Sequence, residues 1–476
     1  MHKLSLPPSS HIHLIGICGT GMGALAGLLN ARGHRVTGSD EGVYPPMSDM
    51  LQSLQIPVAI GYGPQNLDPR PDLVIVGNIC RADHPEAQAA KDMGIPYASF
   101  PHTVRDLFLR ERQSLVIAGT HGKTTTTALT AFLLEAAGSD PSVLIGGVTR
   151  DFGSGFKLGK GQAFVIEGDE YDSAWFEKVP KFSFYVPHAA VITSVEHDHI
   201  DIYPTAEAYE AAFRTLVEQV DPGPLAIYSG DAGAMRVAEH ADCPVVTYAV
   251  KGDPFSFEPS WLAIPKGLHD FELRIEGRQA GLFRSPMMGR HNLRNTLAAL
   301  IVAHVSQGVP LETLRAQLPQ FQGVQRRQQL LGTPGDITVY DDFAHHPTAV
   351  RETLASLKAR HPNGKLIAAF EPRSATACRS LHQQAYAEAF DDASLTIIAP
   401  CGRNLPDAER LDTQRLARDL RTRGTTAAAT ATTDDVLAAI VDAARPGDIV
   451  VLFSNGAFGD IRSRLIDALT PKTANA

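Results

Sequence analysis

The stretch Gly119-Thr120-His121-Gly122-Lys123-Thr124-Thr125, GTHGKTT, follows the apolar run SLVIA and opens into TTALTAFLLEAAG. An apolar run, two glycines, the ending GK[ST] and a helical stripe through Leu129, Phe132, Leu133 and Ala136 spell strand, phosphate loop, helix. In such a loop, backbone N–H groups gather at a helix N-terminus and favour an anion. Lys123 supplies a point charge for the β/γ oxygens of ATP, and the Thr124 hydroxyl can ligate magnesium. The spacing GxxGKT is shorter than the usual GxxxxGK[ST], but the physics is the same. A threonine-rich capping turn would not need the strand and the GK[ST] core together.

A second glycine loop, GICGTGMG (16–23), follows the short apolar run HIHLI. Gly19, Gly21 and Ala24 fit the dinucleotide fingerprint loosely, and Asp40 lies about 20 residues on. The match supports a bound pyrophosphate without choosing NAD over a nucleotide sugar.

The loops sit in a chain of 476 residues, which at about 150 residues per unit gives three domains. Strands alternate with helices throughout, the pattern of α/β units with parallel sheets. The expected boundaries are 1–108, 109–325 and 326–476, with a β-hairpin over HDFELRIEGRQAGLFR (269–284) inside the second. The tail TPKTANA (470–476) reads as frayed. A formal charge of −9 argues against a nucleic-acid binder. The five cysteines, at 18, 80, 243, 378 and 401, form no CxxC and no even framework, which points to a reducing cytoplasm. The apolar N-terminal region is broken by glycines and lacks a basic leader, so neither a signal peptide nor a membrane span is expected.

Further motifs end apolar strands. VIEGDEYDSA (165–174) carries Glu167, Asp169, Glu170 and Asp172, hard oxygen ligands for the magnesium that accompanies ATP. SVEHDHIDIYPT (194–205) carries His197, Asp198, His199 and Asp201, which suit a zinc site or, with one histidine ligand, a second magnesium. MGRHNLRNTLAAL (288–300) sets Asn292 and Asn295 one turn apart behind His291; amides can read adenine and an imidazole can stack on it, though an ordinary capped helix would look the same. VYDDFAHHPT (339–348), AFEPRS (369–374) and FSNGAFGD (453–460) end strands of the third unit, where ligands bind outside the carboxyl ends of a parallel sheet. Arg373 there can clamp a carboxylate bidentately.

GTHGKTTT, EGDEYD, EHDHID, GRHNLRN, GVQRR and DDFAHHPT, in that order along the whole chain, resemble the Mur ligase family. The resemblance implies a Rossmann-like N-terminal domain for a UDP-sugar, a P-loop central ATPase domain and a Rossmann-like C-terminal domain for the amine substrate. GICGTGMG and DDFAHHPT are similar to the branch that takes UDP-N-acetylmuramate. LGICGT, SDEGVYPPMS, PDLVIVGN, FEPRS and SNGAFGDI look closer to the recycling ligase that adds L-alanyl-γ-D-glutamyl-meso-diaminopimelate than to the enzyme that adds free L-alanine. One departure is Ala375-Thr376-Ala377, where the family more often has asparagine, threonine and methionine.

By this resemblance Lys123, Glu167 and His199 are catalytic, with Thr124, Glu167 and His199 as magnesium ligands. Gly119–Thr125, His291, Asn292, Asn295, Arg327 and Asp342 hold ATP. Gly19, Thr20, Gly21, Met22, Ser39 and Asp40 hold the UDP-sugar. His345, His346, Arg373, Ser374, Ser454, Gly456 and Phe458 are expected at the peptide. ATP and Mg2+ are the expected cofactors; nucleic acid, membrane and an obligatory protein partner are not expected. An NAD-dependent oxidoreductase, built on GICGTGMG and Asp40, and a P-loop switch protein are the competing classes.

Overall fold

A computed structural model describes residues 3–45 and 47–471. The last five residues of the tail TPKTANA lie outside the described ones. The chain is α/β, with three large sheets.

The first sheet is all parallel, in the order Val58–Ile60, Arg35–Asp40, His11–Ile15, Leu73–Val76, Tyr97–Ser99. Its strand Leu73–Val76, LVIV, is a continuous buried apolar run, as a sheet covered on both faces favours. Strand order reverses beside His11–Ile15, and the first glycine loop leaves that strand at its carboxyl end. This is the switch point where doubly wound sheets bind ligands.

The central sheet has ten strands. At its heart Gln113–Ala118 lies parallel between Ala189–Ile192 and Ala163–Gly168. That register delivers GTHGKTT, EGDEYD and SVEHDH to one sheet edge. The expected hairpin is present as Asp270–Ile275 and Arg278–Arg284, and it extends this sheet antiparallel through Trp261–Pro265.

The third sheet runs Gln329–Gly332, Thr338–Asp342, Ile449–Phe453, Leu366–Phe370, Leu395–Ile398, Thr426–Ala429. Only the first pairing is antiparallel. Three adjacent strands therefore end in DDFAHH, SNGAFG and EPRS, side by side.

The units are joined differently. The first and central ones share a core in which Leu29, Val104 and Phe108 pack with Val116, Phe164 and Phe182. A hairpin of Asp172–Ala174 and Glu177–Pro180 adds Trp175 and Phe176, which pack on the first unit's own core. The third unit meets the central one mainly through polar contacts: Thr348 Oγ1 to Glu196 Oε1 at 2.9 Å, Arg294 to Glu352 at 3.1 Å, and Gln328 to His291 at 3.2 Å. Such interfaces make relative domain motion the default. Among the described residues no helix is long and apolar enough to cross a membrane.

Candidate active site

The ATP loop is laced to the neighbouring strand end before it meets any ligand. Thr120 N donates to Ser194 O at 2.9 Å, His121 N donates to Ser194 Oγ at 3.1 Å, and the Thr120 hydroxyl donates to Glu196 O at 2.9 Å. The N–H groups of Thr120 and His121 are thus already committed. Gly122 and the first turn of helix Lys123–Ala136 present N–H groups with no intrahelical partner, the kind of group that favours an anion. Gly122 has φ +83°, and a Cβ on it would stand 2.3 Å from Asn295 Oδ1. Gly122→Ala is therefore expected to weaken ATP binding about tenfold to a hundredfold, given a strain of about 1–3 kcal/mol, while the chain still folds. Calorimetric titration with ATP checks this, and unchanged affinity would contradict it.

Lys123 Nζ donates to Gly119 O at 2.7 Å and to both oxygens of Glu170, at 2.9 and 2.8 Å. Glu170 is fully buried and also meets His199 Nε2 at 3.1 Å and the Tyr209 hydroxyl. Burial alone would raise the Glu170 carboxyl, but Lys123 and His199 outweigh it and hold it well below the usual carboxylate range. Burial opposes the charge on Lys123 too, and Glu170 overcomes that and raises it. His199 is raised by the same carboxylate against its own desolvation. Glu167 sits one step away: it accepts from the Thr124 hydroxyl at 2.9 Å and from Gly146 N at 2.8 Å. Burial raises its carboxyl above the usual value. The Thr124 hydroxyl and the buried Glu167 carboxylate line one cavity and form an oxygen donor pair that fits magnesium; His199 lines it too, with its Nε2 taken by Glu170.

Two cavities meet at the ATP loop, and His121, Gly122, Arg327 and Ala344 line both. One extends over His291, Asn292, Asn295, Tyr228 and Arg294. There Asn292 Nδ2 donates to Met288 O at 2.9 Å and Asn295 Nδ2 to Asn292 Oδ1 at 3.2 Å, so the amides are oriented by the helix that carries them. The other extends from Lys123, Thr124 and Glu167 to Gly19, Thr20, Gly21 and Met22 of the first glycine loop. The two phosphate cradles thus open onto one space.

The third unit closes the roof. Arg327 NH2 reaches Thr124 Oγ1 at 3.3 Å, and its guanidinium lies over the Phe343 ring at 4.8 Å. Asp342 accepts from Gln328 N at 2.7 Å and Ala344 N at 2.8 Å, which shapes the turn carrying both. Burial raises its carboxyl against the nearby Arg327. Burial lowers His345 to about 4 and His346 to about 3, the latter helped by His121, whose ring is 4.8 Å away. His121 Nε2 meets Glu196 Oε2 at 2.8 Å, and Glu196 also faces His346 Nδ1 at 3.8 Å, a further tie between loop and roof.

Several expected contacts have other work. Ser39 is fully buried and donates its hydroxyl to Glu86 Oε1 at 2.7 Å. Asp40 accepts from Cys18 N and Gly42 N, both at 2.9 Å, so it braces the first glycine loop from behind. Neither is among the residues lining that cavity; Asp40 ties down the loop backbone, and Ser39 meets the loop through its carbonyl, which accepts from Gly16 N at 2.8 Å. Phe458 is likewise core: left-handed backbone at Phe458, Gly459 and Asp460 turns its ring under the sheet against Ile461 and Leu465. Ser454 is fully buried, hydrogen-bonded to Glu371, and accepts from Gly456 N at 2.9 Å. Arg373 does face solvent, with its stem laid against Gly456, where a Cβ would come within 2.0 Å of Arg373 Cδ. Ser374 accepts from Ala377 N at 3.0 Å and shapes that loop. Sequence reasoning missed Tyr228, Asp231 and Glu352 in the cavity beside Asn292 and Asn295, since none lies in a motif, and it did not single out Arg294 within GRHNLRN.

Three family models match in order: the Mur ligase family catalytic domain over residues 11–112, the Mur ligase middle domain over 117–303, and the Mur ligase glutamate ligase domain over 326–456. The chain belongs to the Mur ligase family. It is 35% identical to the UDP-N-acetylmuramate–L-alanyl-γ-D-glutamyl-meso-2,6-diaminoheptandioate ligase of Escherichia coli, over 98% of this chain and 99% of that one. It is 33% identical to a solved murein peptide ligase from Psychrobacter arcticus, with TM-score 0.74, covering 98% and 100% of the two chains. A UDP-N-acetylmuramate–L-alanine ligase of Roseiflexus is 34% identical over 96% of this chain and 99% of its own. Mur ligases are ATP-dependent ligases, so this chain is an enzyme of that class. The oxidoreductase and switch-protein readings fall with that membership.

Proposed function

We propose that this Mur ligase joins UDP-N-acetylmuramate to L-alanyl-γ-D-glutamyl-meso-diaminopimelate in peptidoglycan recycling, in the cytoplasm. The observation that carries the ligase chemistry is the single space shared by Gly19–Met22 and Lys123–Thr124. Similarity along the full chain to the E. coli and Psychrobacter ligases supports the tripeptide as the amine. In this reading residues 1–108 hold the UDP-sugar, 109–325 ATP and 326–476 the amine.

An amide does not form directly from a carboxylate and an amine, because oxide is an impossible leaving group. The lactyl carboxylate of the sugar attacks the γ-phosphorus of ATP; the bond to ADP breaks and an acyl phosphate forms. The alanyl amine then attacks the acyl carbon, and inorganic phosphate leaves with the former carboxylate oxygen. Lys123 and the first-turn N–H groups stabilise the transferring phosphoryl group by position and charge, the dominant effects in this chemistry. Asn292, Asn295 and His291 orient the adenine, and Arg327 brings a charge to the loop from the third unit. Thr124 and Glu167 are the residues that would hold magnesium, with His199 a ligand once it leaves Glu170; the ion would neutralise phosphate charge.

Proton removal is a smaller task. An α-amino group has a pKa of about 7.7–8.0, so roughly a tenth is neutral at pH 7, a cost of about 1 kcal/mol. His345 and His346, held near 4 and 3, are too weakly basic to accept that proton well. They serve as neutral walls that help exclude water from the acyl phosphate.

The amine is tested by supplying ATP and UDP-N-acetylmuramate with either the tripeptide or free L-alanine and measuring ADP release. Release with the tripeptide is expected. Release only with free L-alanine would reassign the chain to the L-alanine-adding activity, whose Roseiflexus representative is nearly as similar.

A further inference from the structure

Lys181 is a cation in the cavity that no part of this reading uses. Its side chain is 16% exposed, and Nζ pairs with Asp169 Oδ2 at 2.7 Å. The ammonium lies 5.5 Å from the centre of the Phe100 ring and 5.7 Å from that of Tyr171. Each ring leads to one half of the site. A Cβ on Gly21, in the first glycine loop, would be 3.7 Å from Phe100. Tyr171 packs on His199, ring centres 4.3 Å apart. Gly21, Phe100, Lys181, Tyr171 and His199 thus make a continuous bridge from the first cradle to the ATP side.

The bridge is held rigidly. Lys181 follows the hairpin that docks Trp175 and Phe176 on the first unit's core, and Lys181 N donates to Tyr171 O at 3.1 Å. Glu177, in the same hairpin, hydrogen-bonds Ser99 beside Phe100. A lysine of the central unit therefore lines the same cavity as the first turn of helix Thr20–Ala31, whose N-terminus carries the partial positive charge that attracts phosphate. One carboxylate, Asp169, keeps the ammonium in register between two aromatic faces, an arrangement that costs little further ordering when an anion arrives.

We propose that Lys181 is the central unit's anchor for the diphosphate of the UDP-sugar, gripping across the domain seam the group that the first glycine loop cradles. This rests on the UDP-sugar reading of that cavity. Lys181 touches substrate in the bound complex without taking part in bond making.

The test is calorimetric titration of the full chain with UDP and, separately, UDP-N-acetylmuramate. UDP carries the diphosphate without the lactyl carboxylate. K181M keeps the stem between the two rings and removes the charge; K181Q, with a polar head for Asp169, replaces it if K181M does not fold. The neutral variant is expected to bind both ligands about tenfold to a hundredfold more weakly, by the same factor, with K181R recovering most of the loss. Unchanged affinity overturns the assignment. So does a loss confined to UDP-N-acetylmuramate, which would put the ammonium on the sugar's carboxylate. A wild-type chain that takes neither ligand overturns the UDP-sugar reading itself, and this assignment with it.

Discussion

Lys123→Ala is expected to lower turnover by roughly a thousandfold while leaving UDP-sugar binding within a few-fold of wild type. The ammonium is held between Gly119 O and the Glu170 carboxylate, so its charge is fixed at the loop rather than swinging on a free stem. A preorganised charge in a water-poor site is worth far more to a transferring phosphoryl group than the same charge in solvent. In the proposed reading the sugar's diphosphate sits at the start of helix Thr20–Ala31, in another unit from this lysine. Removing Lys123 also leaves Glu170 buried beside His199 alone, a loss of about 3–5 kcal/mol in comparable buried pairs. Kinetics, a thermal melt and UDP-sugar titration therefore belong on one preparation. A folded variant that turns over like wild type, or one that loses the sugar, contradicts the assignment.

Arg327→Ala is the second large effect, a fall in kcat of about a hundredfold to a thousandfold with little change in KM for the UDP-sugar. Arg327 belongs to the third unit yet reaches the ATP loop at Thr124. Its guanidinium is steered there by the Phe343 ring, a planar contact that lysine cannot reproduce, so Arg327→Lys restores only part of the rate. The contact crosses from the third unit to the central one, so the variant tests what the third unit contributes to the loop. Steady-state kinetics decide the point, and a kcat within about threefold of wild type would remove Arg327 from the machinery.

What the sequence revealed and what it hid follow a physical pattern. Glycine loops, carboxylates at strand ends and paired asparagines are local, and each keeps its meaning without knowledge of its neighbours. GTHGKTT, EGDEYD and the DDFAHHPT edge accordingly came out where expected. Alternation of strands and helices was enough for the α/β class, and apolar–polar alternation about a glycine-containing turn for the 269–284 hairpin. Direction and burial of a side chain are not local. Ser39 and Asp40 sit beside the first loop in sequence, but the buried Glu86 and the backbone of Cys18 claim them. Phe458 lies in a surface-looking motif, yet a run of left-handed backbone turns it into the core. Glu170 was visible as one of four acids, but only the fold singles it out as the partner of Lys123. Lys181 had no signal, since its environment is two aromatic rings from different units.

The central claim is that ATP activates the sugar's carboxylate rather than the amine or water. Labelling both oxygens of the UDP-N-acetylmuramate lactyl carboxylate with 18O and analysing the phosphate after ligation tests it directly. One 18O per inorganic phosphate is the predicted result. Unlabelled phosphate in a reaction that still yields the amide would contradict the account.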